Sequence, residues 1–478
     1  MTNQPSTAQP STLNQVKYNL GYVWTISFVA ALGGFLFGYD WVVVGGAKPF
    51  YEPYFRISTP SQQGWGTSSA LIGCIFGALL CFLKSDAWGR KPLLILAGFL
   101  FTLSAVGTGL VSDFSWYNVY RIVGGIAIGI ALNLSPMYIS EMSPPHLRGK
   151  LVALNQLLIM IGVLSAQIMN WQIALMDDQI PAQATEEIIR QSWSGQYGWR
   201  WMFGIEAVPA FFFFIVMIFM PESIRWLVKA GRTAKAEKIL SRVGGLEYAR
   251  TEIKSIQNTI TKDEVAQVHF SDLIEPKLFK VLMLGIFLAI LQQWCGMNVV
   301  FYYAADIFQA AGYSIQQMML NIVVIGTVMV VSVIITMLII EKVGRKKLML
   351  AGTAGLAVVY VILGYLFLKG VTGIPIVIST LTNVAIYSIT LAPVVWVILS
   401  EIFPNRIRGA AMSATAMALW VGNFSLTFSF PAIKENLGWA NNFWLYAAIC
   451  AAGFIVLYFF LPETKDKTLE QIESELIG

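Results

Sequence analysis

Long apolar runs alternate with short polar stretches along the chain, and most of the runs exceed what a helix in a soluble core requires. Windows of about 19 residues give roughly twelve segments able to cross ~30 Å of hydrocarbon. They lie near 22–46, 66–84, 92–111, 116–138, 151–171, 201–220, 279–304, 318–340, 348–368, 375–399, 410–430 and 442–461. This pattern predicts an all-α integral membrane protein with 12 transmembrane helices. The sixth and seventh runs are separated by a long charged stretch. It contains "TAKAEKIL" and "LEYARTEIKSIQ", helical in composition and amphipathic in spacing. The division read from the pattern is a polar tail (1–20), a six-helix bundle (21–220), an intracellular helical linker (221–278), a second six-helix bundle (279–461) and a short tail (462–478). The first apolar run is too long for a signal peptide and lacks a cleavage site.

The two halves echo each other. "SEMSPPHLRG" (140–149) and "SEIFPNRIRG" (400–409) share S-E-x-x-P-x-x-x-R-G, "GRK" at 89–91 returns at 344–346, and "PES" at 221–223 returns as "PET" at 462–464. Such an internal duplication is the organisation of secondary transporters, whose substrate site lies between the halves near mid-membrane. In each half the motif sets a carboxylate and a guanidinium at the ends of consecutive helices. Glu141 with Arg148 and Glu401 with Arg408 are expected to pair, and Glu341 with Arg345, and Arg90 with Glu206 or Glu222, to extend a cytosolic salt-bridge network. The alternative is a set of solvated loop charges.

Composition agrees with a membrane protein: 56% of the 478 residues are hydrophobic and 12% charged, against about 25% charged in soluble domains. The net charge of +5 comes from clusters such as "GRKP", "HLRGK", "EKVGRKK" and "NRIRG", which fall in alternate loops. By the positive-inside rule those loops and both termini are cytoplasmic in a multi-pass protein of the inner (plasma) membrane, and no nucleic-acid partner is needed to explain the charge. Cys74, Cys81, Cys295 and Cys450 lie in apolar runs without metal-site spacing, and the two histidines, His146 and His269, fall in cytosolic segments. No metal and no cofactor is expected. Nor is an enzyme, since no nucleophile, base and orienting group gather at helix ends.

The polar residues inside the runs carry the functional reading. Gln156 lies in the fifth run. The seventh, "LQQWCGMNVVFYYA", holds Gln292, Gln293, Asn298, Tyr302 and Tyr303, with Gly296 as a plausible helix break. Amides facing lipid would be unsatisfied, so they face a cavity or one another. Pro393, Trp396 and Trp420 add a freed carbonyl and aromatic faces in runs ten and eleven. This set suits a neutral polyhydroxylated ligand, or, in the bland reading, holds helices together. Asp40, in "FGYDWVVVGGA", lies ~27 Å along the first helix, and Arg121, in "VYRIVGG", lies at ~23 Å. At matching depth the two can pair. A buried acid that loses its partner binds a proton, which is the minimum equipment for proton coupling. A static ion pair fixing the fold is the competing reading.

The stretches "GGFLFGYD", "YRIVGG", "SPMYISEMSPPHLRGKL", "PESIRWL", "QQWCGMNVVFYYA", "PVVWVILSEIFPNRIRG" and "PETKDKTLEQIE" resemble the signatures of the sugar porter family of the major facilitator superfamily, from about residue 20 to 475. Asp40 and Arg121 resemble the pair of bacterial xylose–proton symporters. The resemblance implies a functional monomer that carries a monosaccharide and protons through the lipid bilayer by rocking of two bundles. It implies that Gln156, Gln292, Gln293, Asn298 and Trp396 contact the sugar and that Phe37, Tyr302 and Trp420 line or gate the cavity. Leu419, Met329 and Ala87 depart from the family pattern, with Asn423 placed to substitute for an amide at 419. A uniporter with a structural Asp40, or a sugar sensor, are the alternatives.

Overall fold

The computed structural model describes residues 18–177, 180–181, 184–265, 275–404, 407–465, 467 and 471–472, and among them there is no strand. The apolar runs become spans 1 to 10 at Leu20–Phe55, Pro60–Trp88, Arg90–Leu110, Phe114–Met142, Pro145–Leu175, Ser194–Phe219, Pro276–Tyr302, Ile315–Val343, Arg345–Leu368 and Ile374–Ile402. A last helical stretch, Arg408–Phe460, is two spans meeting at Gly438, where φ of 72° interrupts the helix. Spans 11 and 12 are therefore 408–437 and 439–460, and the chain crosses the membrane twelve times in two six-helix bundles. Between the bundles run the linker helices Ile224–Lys229 and Thr233–Val265, the latter bent at Gly245.

Span 1 continues past the expected end at 46 to Phe55, through Pro49 and Pro53. Proline lacks a backbone N–H but does not always end a helix in lipid, where neighbouring groups satisfy the freed carbonyls. As a result Lys48 and Glu52 belong to the span. Within the first bundle, helices approach at backbone distance: a Cβ at Gly125 of span 4 would lie 1.8 Å from the Ala70 carbonyl oxygen of span 2. Only glycine permits that contact, and small residues at helix crossings are how spans pack where lipid supplies no hydrophobic drive.

The duplicated motifs build the same device twice on one face of the molecule. In the first bundle Arg90 pairs with Glu141 at 3.0 Å and Asp86 at 3.1 Å, while Glu222 accepts from the backbone N–H groups of Arg90 and Lys91, each at 3.1 Å. In the second, Arg345 pairs with Glu401 at 3.1 Å, and Glu463 accepts from the backbone N–H of Arg345 at 2.9 Å. The partner of Glu141 is thus Arg90 rather than Arg148. Arg148 is exposed on the next helix, beside Tyr248, and the second carboxylate oxygen of Glu141 takes a hydrogen bond from Ser223. Glu206 is not in this network. Span 6 starts at the far face and Glu206 sits midway along it, out of reach of Arg90, whereas Glu222 lies just past its end. The side chains of Glu341 and Arg408, residues 1–17 and His269 lie outside the described residues.

The described ends of the chain share this basic face. The backbone N–H of Asn19 bonds the linker at Val243 at 2.8 Å, and Glu463 follows span 12. The bundles meet toward the opposite face. A Cβ at Gly64 of span 2 would lie 2.2 Å from the Phe428 carbonyl oxygen of span 11, and one at Gly45 of span 1 would lie 2.6 Å from that of Phe301 in span 7.

Candidate functional site

Asp40 and Arg121 are 1% and 3% exposed and form an ion pair between spans 1 and 4. A second guanidinium nitrogen of Arg121 donates to the backbone carbonyl of Asp40 at 3.3 Å, and the guanidinium lies 5.1 Å over the Phe203 ring of span 6. Gly124, one residue before the close contact at Gly125, makes room for the acid. A Cβ there would come within 2.9 Å of an Asp40 carboxylate oxygen and 2.5 Å of the Ser104 hydroxyl.

Glu206 completes the cluster. It is 3% exposed, one carboxylate oxygen has no hydrogen-bond partner, and it acts through space on both Asp40 and Arg121. Arg121 is thus ion-paired to Asp40 and has Glu206 as a second buried acid nearby. Of the two partners the sequence offers for Arg90, Glu206 and Glu222, the spacing of Glu206 from "PES" places it four turns from the basic face, and Glu222 is the one beside Arg90.

The acid and the arginine border a narrow cavity whose other walls include Phe37, Trp41, Tyr302 and Trp420. Trp41 is a wall residue that the sequence pattern does not distinguish from its apolar neighbours. It stacks on Phe37 with centroids 5.8 Å apart and meets Phe301 edge-on at 5.3 Å, so it joins the first bundle to the second beside the ion pair. The phenol of Tyr302 is in hydrogen-bonding reach of Asn423 and Trp41.

The amides of span 7 form a relay. Asn298 donates to Gln293 at 2.6 Å, Gln293 to Gln292 at 3.3 Å, and Gln292 to the carbonyls of Leu391 and Ala392 at 3.0 Å each. The helix breaks at Gly296, whose φ of 85° is left-handed and whose close neighbour is the Tyr446 ring. That turn lets residues six apart serve one surface, which an ideal helix does not allow. Span 10 breaks too, at Thr390, ahead of Pro393. Pro393 cannot donate to the Ile389 carbonyl, and Thr336 of span 8 takes that oxygen instead at 3.1 Å.

Not every candidate is brought in. Gln156 is exposed and stands outside the relay, while its neighbour Asn155 is buried with its side-chain carbonyl unpartnered. Trp396 is 37% exposed, whereas Trp420 is 5% exposed against the cavity. Asn423 is buried and accepts from Thr427 at 3.1 Å. The arrangement can offer hydrogen bonds to hydroxyl groups and aromatic faces to C–H surfaces, next to a carboxylate able to exchange a proton for a guanidinium.

Residues 26–476 match the family described as sugar (and other) transporter. The arabinose-proton symporter of Bacillus subtilis (strain 168) is 36% identical over 99% of both chains, and the D-xylose-proton symporter of Escherichia coli (strain K12) is 34% identical over 96% of both. Among solved structures, the inward open conformation of the xylose transporter XylE from E. coli superposes with a TM-score of 0.81 at 32% identity, covering 95% of this chain and all of that one.

Proposed function

Because the chain belongs to the sugar (and other) transporter family, we propose that it takes up a monosaccharide, a pentose or hexose of xylose type, together with a proton. The observation that carries this reading is the buried Asp40–Arg121 pair opening onto the same narrow cavity as Tyr302 and Trp420. Hydrogen-bonding amides alone would serve a uniporter. An ionisable acid whose partner sits on another helix supplies the second requirement, a proton affinity that depends on conformation.

The cycle follows from charge. A carboxylate left unpaired in a low-dielectric site is costly, so when the pair loosens the acid takes a proton and Arg121 turns to Glu206. Sugar then occupies the relay of Gln292, Gln293 and Asn298, and Gln156 and Trp396 come to contact it as the bundles move. The bundles tilt, sugar and proton leave on the other side, and Asp40 pairs again with Arg121. In this reading the basic face and both termini are cytoplasmic, in line with the positive-inside rule, the membrane is the bacterial inner membrane, and a single chain suffices. The division into a bundle at 21–220, a linker at 221–278 and a bundle at 279–461 supplies the two rocking bodies.

The test is uptake of labelled xylose and arabinose into vesicles of defined pH difference. Accumulation above the outside concentration is expected with the gradient in place and is lost when a protonophore collapses it, while exchange of labelled for unlabelled sugar continues. Accumulation that survives the protonophore overturns proton coupling.

A further inference from the structure

Near the far face, four charged side chains meet where the bundles touch. Lys48 of span 1 bonds Asp306 at 2.8 Å and Glu52, one turn along its own helix, at 3.1 Å. Asp306 lies in the short helix Ala304–Ala310 after span 7 and is also bonded by Lys434 of span 11 at 3.3 Å. Lys48 is enclosed and the other three are half-buried: Lys48 is 3% exposed, its ammonium lies 5.1 Å over the Tyr303 ring, and the Tyr303 hydroxyl donates to the Thr427 carbonyl of span 11 at 2.8 Å. One carboxylate oxygen of Glu52 has no partner. Nothing in the proton and sugar cycle above uses these groups.

We propose that Lys48, Glu52, Asp306 and Lys434 are the outer gate of the transporter, an ionic latch built to part between the bundles without stranding a charge. The partition of the four groups carries the argument. Each bundle contributes one cation and one anion: Lys48 and Glu52 on the first, Lys434 and Asp306 on the second. Closed, Lys48 bridges to Asp306 across the interface. When the bundles separate at that face, the bridge breaks, but Lys48 keeps Glu52 and Asp306 keeps Lys434. Breaking a buried pair is severely unfavourable chiefly when it leaves an uncompensated ion. Here both halves stay neutral, and the free oxygen of Glu52 is available to take the hydrogen-bonding capacity that Lys48 withdraws from Asp306. A pair whose only task was to hold the fold would gain nothing from a reserve partner on each side.

The assignment rests on the proposed transport cycle, and it predicts effects of opposite sign within one cluster. Lys48→Met and Asp306→Asn remove the bridge and favour opening at the far face. Glu52→Gln removes the reserve partner, leaves Lys48 dependent on Asp306, and favours the closed state. The experiment is hydrogen–deuterium exchange on the full chain in lipid nanodiscs without sugar, followed in peptides covering 45–58, 300–312 and 428–438. Relative to wild type, exchange is expected to be roughly tenfold faster in Lys48→Met and Asp306→Asn and several-fold slower in Glu52→Gln. Equal exchange in all four proteins, or a change of the same sign in all three variants, overturns the latch. Vesicle uptake by wild type is measured alongside. If wild type does not accumulate sugar while the opposite-signed exchange is seen, the transport reading fails and the latch stands. Should Lys48→Met fail to fold, Asp306→Asn and Glu52→Gln carry the contrast.

Discussion

At the scale of single residues the decisive group is Asp40. Asparagine at that position fills the same volume and can still accept from Arg121, but it can neither balance the guanidinium charge nor carry a proton. Arg121 then has Glu206 as its remaining buried anion. The relay of Gln292, Gln293 and Asn298 is untouched by the change, so the sugar recognition proposed for it persists. Asp40→Asn is therefore expected to sustain counterflow of labelled sugar while the accumulation ratio across the vesicle membrane falls to about one whatever the imposed pH difference. A variant that still concentrates sugar would show that the proton travels by another group, and Glu206 would be the first to test. That Asp40 and Arg121 meet was legible from counting residues along two helices. The depth of Glu206 is legible in the same way, from its spacing to "PES", but its nearness to the Asp40–Arg121 pair is not, because that depends on which helices pack against span 6.

At the scale of elements, spans 3 and 9 start on the same face in the same way, each with a glycine at positive φ followed by an arginine, and each start is capped from a distance by an acid. Glu222 caps the first and Glu463 the second, by accepting backbone N–H groups that a helix N-terminus leaves unpaired. The internal repeat made this pairing of roles visible in the sequence as "PES" and "PET". What the repeat could not show is that the two acids sit in different surroundings. Burial pushes the Glu222 carboxyl upward, and the N–H groups of Ser223, Lys91 and Arg90 only partly offset that. For Glu463 burial also acts upward, but N–H groups including those of Lys465, Arg345 and Lys346 outweigh it and hold the carboxyl below its usual 4.5. The signs of the linkage are opposite. Glu463, lowered on folding, adds stability above the usual carboxylate range and loses it as pH falls below 4.5. Glu222, raised on folding, adds stability at low pH and loses it as pH rises through its folded value. In thermal melts of the purified protein between about pH 4 and about pH 7, the loss of Tm in Glu463→Gln is expected to grow with pH, and that in Glu222→Gln to shrink, by a few degrees each. Parallel profiles for the two variants would refute this account of the caps.

At the scale of the whole molecule, the apolar rhythm of the sequence was enough to count spans, because every span must satisfy its backbone internally and helices are the way to do so. It was not enough to say which end of the cavity is shut. That depends on small residues at crossings between bundles, such as Gly45 and Gly64, whose partners lie hundreds of residues away, and on charges such as Lys48, which stands just beyond the end of the first apolar run and just before two prolines. The closure at the far face is tight backbone packing as well as an ionic cluster, and Gly64 tests the packing alone. A side chain at position 64 must occupy space held by the Phe428 carbonyl, which a Cβ would approach to 2.2 Å. Backbone cannot yield as the end of a flexible side chain does, so Gly64→Trp can be accommodated only if spans 2 and 11 move apart at that face. The amide relay on span 7, proposed to hold the sugar, and the Asp40–Arg121 pair keep their partners. Gly64→Trp is accordingly expected to bind sugar in isothermal titration with an affinity within roughly tenfold of wild type, to show fast hydrogen exchange across residues 428–438, and to lose net uptake in vesicles, since a carrier wedged open on one side cannot complete its cycle. Uptake at the wild-type rate would mean that the contact between spans 2 and 11 is not part of the closure, and that the bundles rock about some other seam.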